Sequence, residues 1–118
     1  MNGSPLDQGV LAELRALSGA GQDLLAEVVG VFVDEAPRQI QALQAALAGG
    51  DAALVLRAAH RLKGSANGVG ARAMGDVAAA IESAARGGDV GRAAREAQGL
   101  AEAFDAARAA LEREIGRA

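Results

Sequence analysis

The chain has 118 residues, no cysteine and a formal net charge of -3 with both signs interspersed. One domain of that length buries a real core without staples, disulfides and thiolate metal sites are excluded, and no basic face offers itself to nucleic acid. No apolar run of about 18 residues is present to span a bilayer, and the polar start Met1-Asn2-Gly3-Ser4-Pro5 lacks the apolar core of a signal peptide, so a cytoplasmic protein that neither spans nor binds a membrane is expected.

Alanine dominates, two phenylalanines are the only aromatics and β-branched residues are scarce. Helix propensity is therefore high almost everywhere, and an all-α fold is expected. Ser4-Pro5 leads into a short helix from about Asp7 to Leu17, with Val10, Leu11, Leu14 and Leu17 at helical spacing. Ser18-Gly19-Ala20-Gly21 ends it. Leu25, Val28, Val29, Phe32, Ala36, Ile40, Leu43 and Leu47 form a stripe that keeps its phase across Pro37, which predicts one helix from about Gln22 to Leu47, bent near the proline. Proline costs a helix interior about 3 kcal/mol, so a break there is the competing reading.

Gly49-Gly50-Asp51 closes that helix and caps the next. Between Asp51 and about Asn67, the positions Val55, Ala59, Leu62 and Ala66 share one face, joined by Val69 beyond the end. His60, Lys63, Gly64 and Asn67 fall on the other. Asn67-Gly68-Val69-Gly70 is read as a tight turn in left-handed backbone. Ala71 to Arg86 is a fourth helix with Met74, Val77, Ala78, Ile81 and Ala85 inward. Gly87-Gly88-Asp89 repeats the stop and cap. A last helix, about Asp89 to Ile115 with Gly99 inside it, turns Val90, Ala94, Ala97, Ala101, Phe104, Leu111 and Ile115 inward. Short loops between long amphipathic helices make neighbours antiparallel. The expected architecture is an up-down-up-down four-helix bundle with the short N-terminal helix packed across one end, a single domain over 1–118 with its core at about 6–115.

His60 is the sole histidine. Packing alone does not require an imidazole held off the core, with an ammonium three residues on and a glycine one turn on. Glycine within a helix costs about 1 kcal/mol relative to alanine, and at Gly64 the compensating gain is clearance beside the ring. A neutral imidazole nitrogen is nucleophilic near neutral pH without an added base. Lys63, about 60° round the helix from His60, is placed to spread the charge of phosphoryl oxygens. Ser65 points away from His60 and is not counted as catalytic. Ala53 and Leu56, within two turns before His60, suggest a docking rim, supported by Leu11, Leu14, Leu24 and Val31, not all of which a core can absorb.

His60-Arg61-Leu62-Lys63-Gly64-Ser65, followed by Gly70-Ala71, resembles the His-x-x-Lys-Gly signature of histidine-containing phosphotransfer (HPt) domains. The likeness extends to Asp34-Glu35-Ala36-Pro37, to Gly50-Asp51, and to Ile81-Glu82 leading to Arg86, and covers about Leu6 to Leu111. The resemblance implies phosphorylation of His60 at Nε2. It also implies that Glu82 and Arg86 line the histidine side, with Arg86 a second phosphate or partner contact, beside the simpler account of an exposed helix-end arginine. Asn67, placed on the histidine face by its phase, is either a partner contact or a turn residue. The implied partners are receiver domains of response regulators or hybrid histidine kinases, which carry the phosphorylatable aspartate and supply Mg²⁺.

No acidic cluster is placed to hold Mg²⁺ beside His60, no glycine-rich phosphate loop occurs, and one histidine without cysteine makes no zinc site. The chain is therefore expected to hold no cofactor of its own, to bind no ATP, and not to phosphorylate itself. A monomeric phosphorelay intermediate is the leading expectation. Two others stand beside it: a phosphoacceptor domain of a larger chemotaxis-type histidine kinase, and a non-catalytic module that docks receivers. An initiating Met1 and an end just past the bundle weigh against the kinase reading.

Overall fold

Aspartate opens four of the helices. Asp7 Oδ1 accepts from the amides of Gly9 and Val10 to start α1 (Gln8–Leu17). Asp23 accepts from Ala26 to start α2 (Leu24–Gly49). Asp51 accepts from Ala53 and Leu54 to start α3 (Ala52–Gly68), and Asp89 from Arg92 to start α5 (Val90–Glu96). Each such cap satisfies amides that have no partner inside the helix and contributes about 1 kcal/mol. The remaining helices, α4 (Arg72–Arg86) and α6 (Leu100–Glu114), begin without a side-chain cap. The structure is a computed structural model that describes residues 4–116; Met1, Asn2 and Gly3 of the polar start lie outside the described residues.

Pro37 does not break α2, which is continuous from Leu24 to Gly49. Leu25, Val29, Phe32, Ala36, Ile40 and Leu43 are all buried along it. Each large apolar side chain contributes about 1.5–3 kcal/mol on burial, so the stripe outweighs the roughly 3 kcal/mol of one proline. Phe32 packs on Phe104 of α6 with ring centroids 5.8 Å apart.

The end of α3 differs from the sequence expectation. Asn67 and Gly68 stay helical, and only Gly70, at φ +80°, is left-handed. Ala71 N–H donates to Ala66 O at 2.8 Å and Gly70 N–H to Asn67 O at 3.1 Å. This pair of bonds closes a helix around one left-handed residue, so the turn needs Gly70 alone, and Ala66 and Ala71 are both buried beneath it.

The last helix is also not one rod. Ala97–Gly99 form a 3-10 turn between α5 and α6, where Gly99, with its low helix propensity, lets the backbone tighten. Ala94 and Ala101 are exposed, and Ala93, Leu100 and Ala107 are buried in their place. Alanine flanks this stripe on both sides, so residue type did not show which edge faces inward.

The result is the expected all-α bundle of α2, α3, α4 and the jointed α5–α6, with α1 against one end. There Asp7 N–H donates to Gly70 O at 2.7 Å, Ala73 N–H to Pro5 O at 3.1 Å, and Arg15 pairs with Glu114 of α6 at 2.8 Å. Leu11 is fully buried by this docking, whereas Val31 is left 57% exposed. No described helix is long and apolar enough to cross a membrane.

Candidate functional site

Along the seam between α3 and α4, small residues replace bulky ones. Gly75, Ala78 and Ala85 of α4 are buried there together with Ala59 and Ala66 of α3. An added Cβ at Gly75 would collide with Asn67 Oδ1. Close approach of the two helices lets an acidic side chain of α4 reach across, and Glu82 does so. Its side chain is only 4% exposed, whereas that of His60 is 69% exposed.

A buried carboxylate is costly unless paired, and Glu82 has three partners. Its Oε1 lies 2.6 Å from Lys63 Nζ. Its Oε2 lies 2.8 Å from His60 Nδ1 and 3.2 Å from Arg86 Nη2. The hydrogen bond from Lys63 is the largest influence and outweighs burial; with the bond from His60 it lowers the Glu82 pKa from 4.5 to about 2. Glu82 is thus an anion at any physiological pH and can only accept. The hydrogen on the shared line must sit on Nδ1, which leaves Nε2 of a neutral ring with its lone pair free, on a side chain that is largely exposed.

His60, Lys63 and Arg86 are therefore gathered around one carboxylate. Lys63 is half-buried between His60 and α4, not fully extended into solvent. Gly64, one turn past His60, has no heavy atom within 4 Å of where a Cβ would stand, so the space beside the ring is open. The other predicted residues are not part of the cluster. Asn67 Oδ1 lies over Gly75 of α4. Leu56 is partly buried against the core, and exposed Ala53 lies two turns from His60 near the Asp51 cap. Among the described residues no three His, Cys, Asp or Glu side chains are grouped to hold a metal ion.

From sequence, Glu82 stands beside the histidine only through the family resemblance, with no role attached to it. The available signal was its phase: Glu82 falls four residues after Ala78 and three before Ala85, a lone acid on the apolar stripe of α4.

No curated protein matches the chain. Among solved structures, histidine-containing phosphotransfer protein B (HptB) from Pseudomonas aeruginosa PAO1 superposes with a TM-score of 0.86 at 26% identity, over 99% of each chain. The Hpt domain family matches residues 27–110, a span that holds His60, Lys63, Gly64, Glu82 and Arg86. That match spans well over half of the chain, and the chain is a member of the Hpt domain family.

Proposed function

We propose that the chain is a phosphorelay intermediate in which His60 Nε2 takes a phosphoryl group from the aspartyl phosphate of one receiver domain and passes it to the aspartate of another. The observation that carries this reading is the bond from His60 Nδ1 to ionised Glu82, with the ring otherwise exposed. In the first transfer the Nε2 lone pair forms a P–N bond as the acyl phosphate P–O bond breaks, and the receiver's carboxylate leaves. The ring becomes cationic, and its Nδ1–H remains bonded to Glu82, which offsets that charge. The second transfer reverses these steps on a different carboxylate.

Lys63 is proposed to shift from Glu82 toward the phosphoryl oxygens, with Arg86 as a second cation at the edge. Gly64 leaves room for the receiver's loops. Ala53, Leu56 and Asn67 are assigned to the surrounding contact surface. Mg²⁺ comes with the receiver, and the phosphoryl donor is the aspartyl phosphate, with no ATP bound by this chain. The partners are receiver domains of response regulators or hybrid kinases, met by a monomer in the cytoplasm.

The test is transfer of labelled phosphoryl groups from phosphorylated receivers with Mg²⁺. Acid-labile label on the wild-type chain and none on His60→Ala is expected. Equal labelling of His60→Ala refutes the assignment.

A further inference from the structure

Two contacts cross the α3–α4 seam at matched places. Asn67 lies seven residues after His60 on α3, and Gly75 lies seven residues before Glu82 on α4. Seven residues is close to two full turns, so His60 and Asn67 share one face of α3 while Gly75 and Glu82 share the facing side of α4. Asn67 meets Gly75 as His60 meets Glu82. The helices therefore run antiparallel in one register, with about 10 Å of rigid helix between the two contacts.

Among the glycines of the described residues, Gly75 has the closest neighbour on its side-chain side. A Cβ there would collide with Asn67 Oδ1 and stand 2.9 Å from Asn67 Cγ. Turning the amide about χ2 leaves Cγ in place, so the collision is cleared only if Asn67 leaves the seam at χ1, where a helix allows few rotamers, or if α4 moves back. Glycine inside a helix costs stability relative to alanine, and α4 is otherwise rich in alanine. The room left for Asn67 is what offsets that cost.

The bonds of Glu82 respond to small displacements. They measure 2.6 Å to Lys63 and 2.8 Å to His60, and at about 3.6 Å neither would remain a hydrogen bond. Moving α4 back by about 1 Å therefore undoes the cluster, while the alanine-lined seam loses only part of its dispersion contact. The fold survives a shift that the site does not.

We infer that Gly75 is a positioning residue for the reaction at His60: its missing side chain gives Asn67 room on the seam and lets α4 come near enough for Glu82 to hold the imidazole by Nδ1. Gly75 acts through Glu82 and touches no reacting atom. Its part in transfer rests on the proposed phosphotransfer reading, whereas its part in holding the ring does not.

Ring ¹⁵N spectra of the free chain, recorded at alkaline pH where an imidazole is neutral, read the hold on the ring directly, and His60 supplies the sole ring signals. The wild type should show one tautomer, with its hydrogen on Nδ1, and Gly75→Ala a mixture. Adding Asn67→Ala to Gly75→Ala removes the colliding amide and should restore the wild-type spectrum. An unchanged ring in Gly75→Ala means that Asn67 swings aside and α4 stays, which overturns the inference, as does a mixture that the double variant retains. Should Gly75→Ala not fold, the double variant decides: a folded chain with the wild-type spectrum upholds the inference, and an unfolded chain or a mixed ring overturns it.

Transfer from a phosphorylated receiver with Mg²⁺, measured at saturating receiver, should fall about tenfold in Gly75→Ala. In the Glu82→Ala background the same change should slow transfer no further. Equal slowing in both backgrounds shows that Gly75 does not act through Glu82 and overturns the inference. Spectra that change as expected in a chain that no receiver labels would uphold the positioning of the ring and refute phosphotransfer.

Discussion

Glu82 and His60 face each other across the α3–α4 seam with 2.8 Å between the carboxylate and Nδ1, and this contact decides which ring nitrogen is available. Because Glu82 is ionised, it accepts and never donates, so the neutral ring is held as the Nδ1–H tautomer. Replacement by alanine frees the ring to populate both tautomers and should slow transfer about tenfold. Glu82→Gln, whose carbonyl still accepts, should recover most of the rate. Ring ¹⁵N shifts read the tautomer directly, and an unchanged tautomer in Glu82→Ala would show that another group sets it.

The same carboxylate makes stability fall in acid. Its folded pKa, about 2, lies below its ordinary 4.5, so the ionised form favours the folded state. That contribution is complete above about pH 4.5 and is lost as pH falls toward about 2. With Lys63 and Arg86 both in reach of water, it amounts to about 1–2 kcal/mol. Glu114, lowered mainly by its bond from Arg15, acts in the same direction. Urea midpoints of wild type and Glu82→Gln, compared through the acid range, isolate the Glu82 share: the gap should narrow as pH falls, and a constant gap contradicts the paired-anion account.

Gly64 separates stability from function. No atom stands within 4 Å of the position its Cβ would take, so alanine there relieves a helix-interior glycine and should raise stability by about 1 kcal/mol. The new methyl, one turn from His60 on nearly the same face, intrudes where a receiver must approach and should cut the transfer rate about tenfold or more. A higher melting temperature with undiminished transfer would remove the clearance role.

The helices and the exposed face that carries His60 are legible in the sequence because period and caps carry them. The α2 stripe keeps its phase through Pro37, and Asp51 and Asp89 mark the starts of their helices by residue type alone. What stayed hidden depends on contacts between elements. Lys63 reads from sequence as a solvent-facing cation, and only the nearness of α4 shows that Glu82 holds it. The Asn67–Gly70 segment carried glycine and asparagine signals enough for a left-handed turn at several positions, yet the two bonds from Gly70 and Ala71 need one such residue. In α5 and α6 the run of alanines erased the distinction between Ala93 and Ala94, and the same run hid the tightening at Ala97–Gly99.

Gly70 is where the fold is most sensitive to a single methyl. Its φ of +80° disfavours any L side chain, and a Cβ would meet Asp7 O at 3.2 Å and both Val10 and Leu11 at 3.4 Å. Gly50, at φ +73°, shares the backbone cost but has nothing within 4 Å. Gly50→Ala should therefore lose only the left-handed penalty, about 1–2 kcal/mol, whereas Gly70→Ala should lose that and also push α1 off the end of the bundle, about 1–3 kcal/mol more. Denaturant midpoints measure the difference. Neither position touches the His60 cluster, so transfer measured well below the midpoint should be unchanged in both variants. Equal losses at the two glycines would mean that α1 moves aside freely and that its contacts at Asp7, Val10 and Leu11 contribute little.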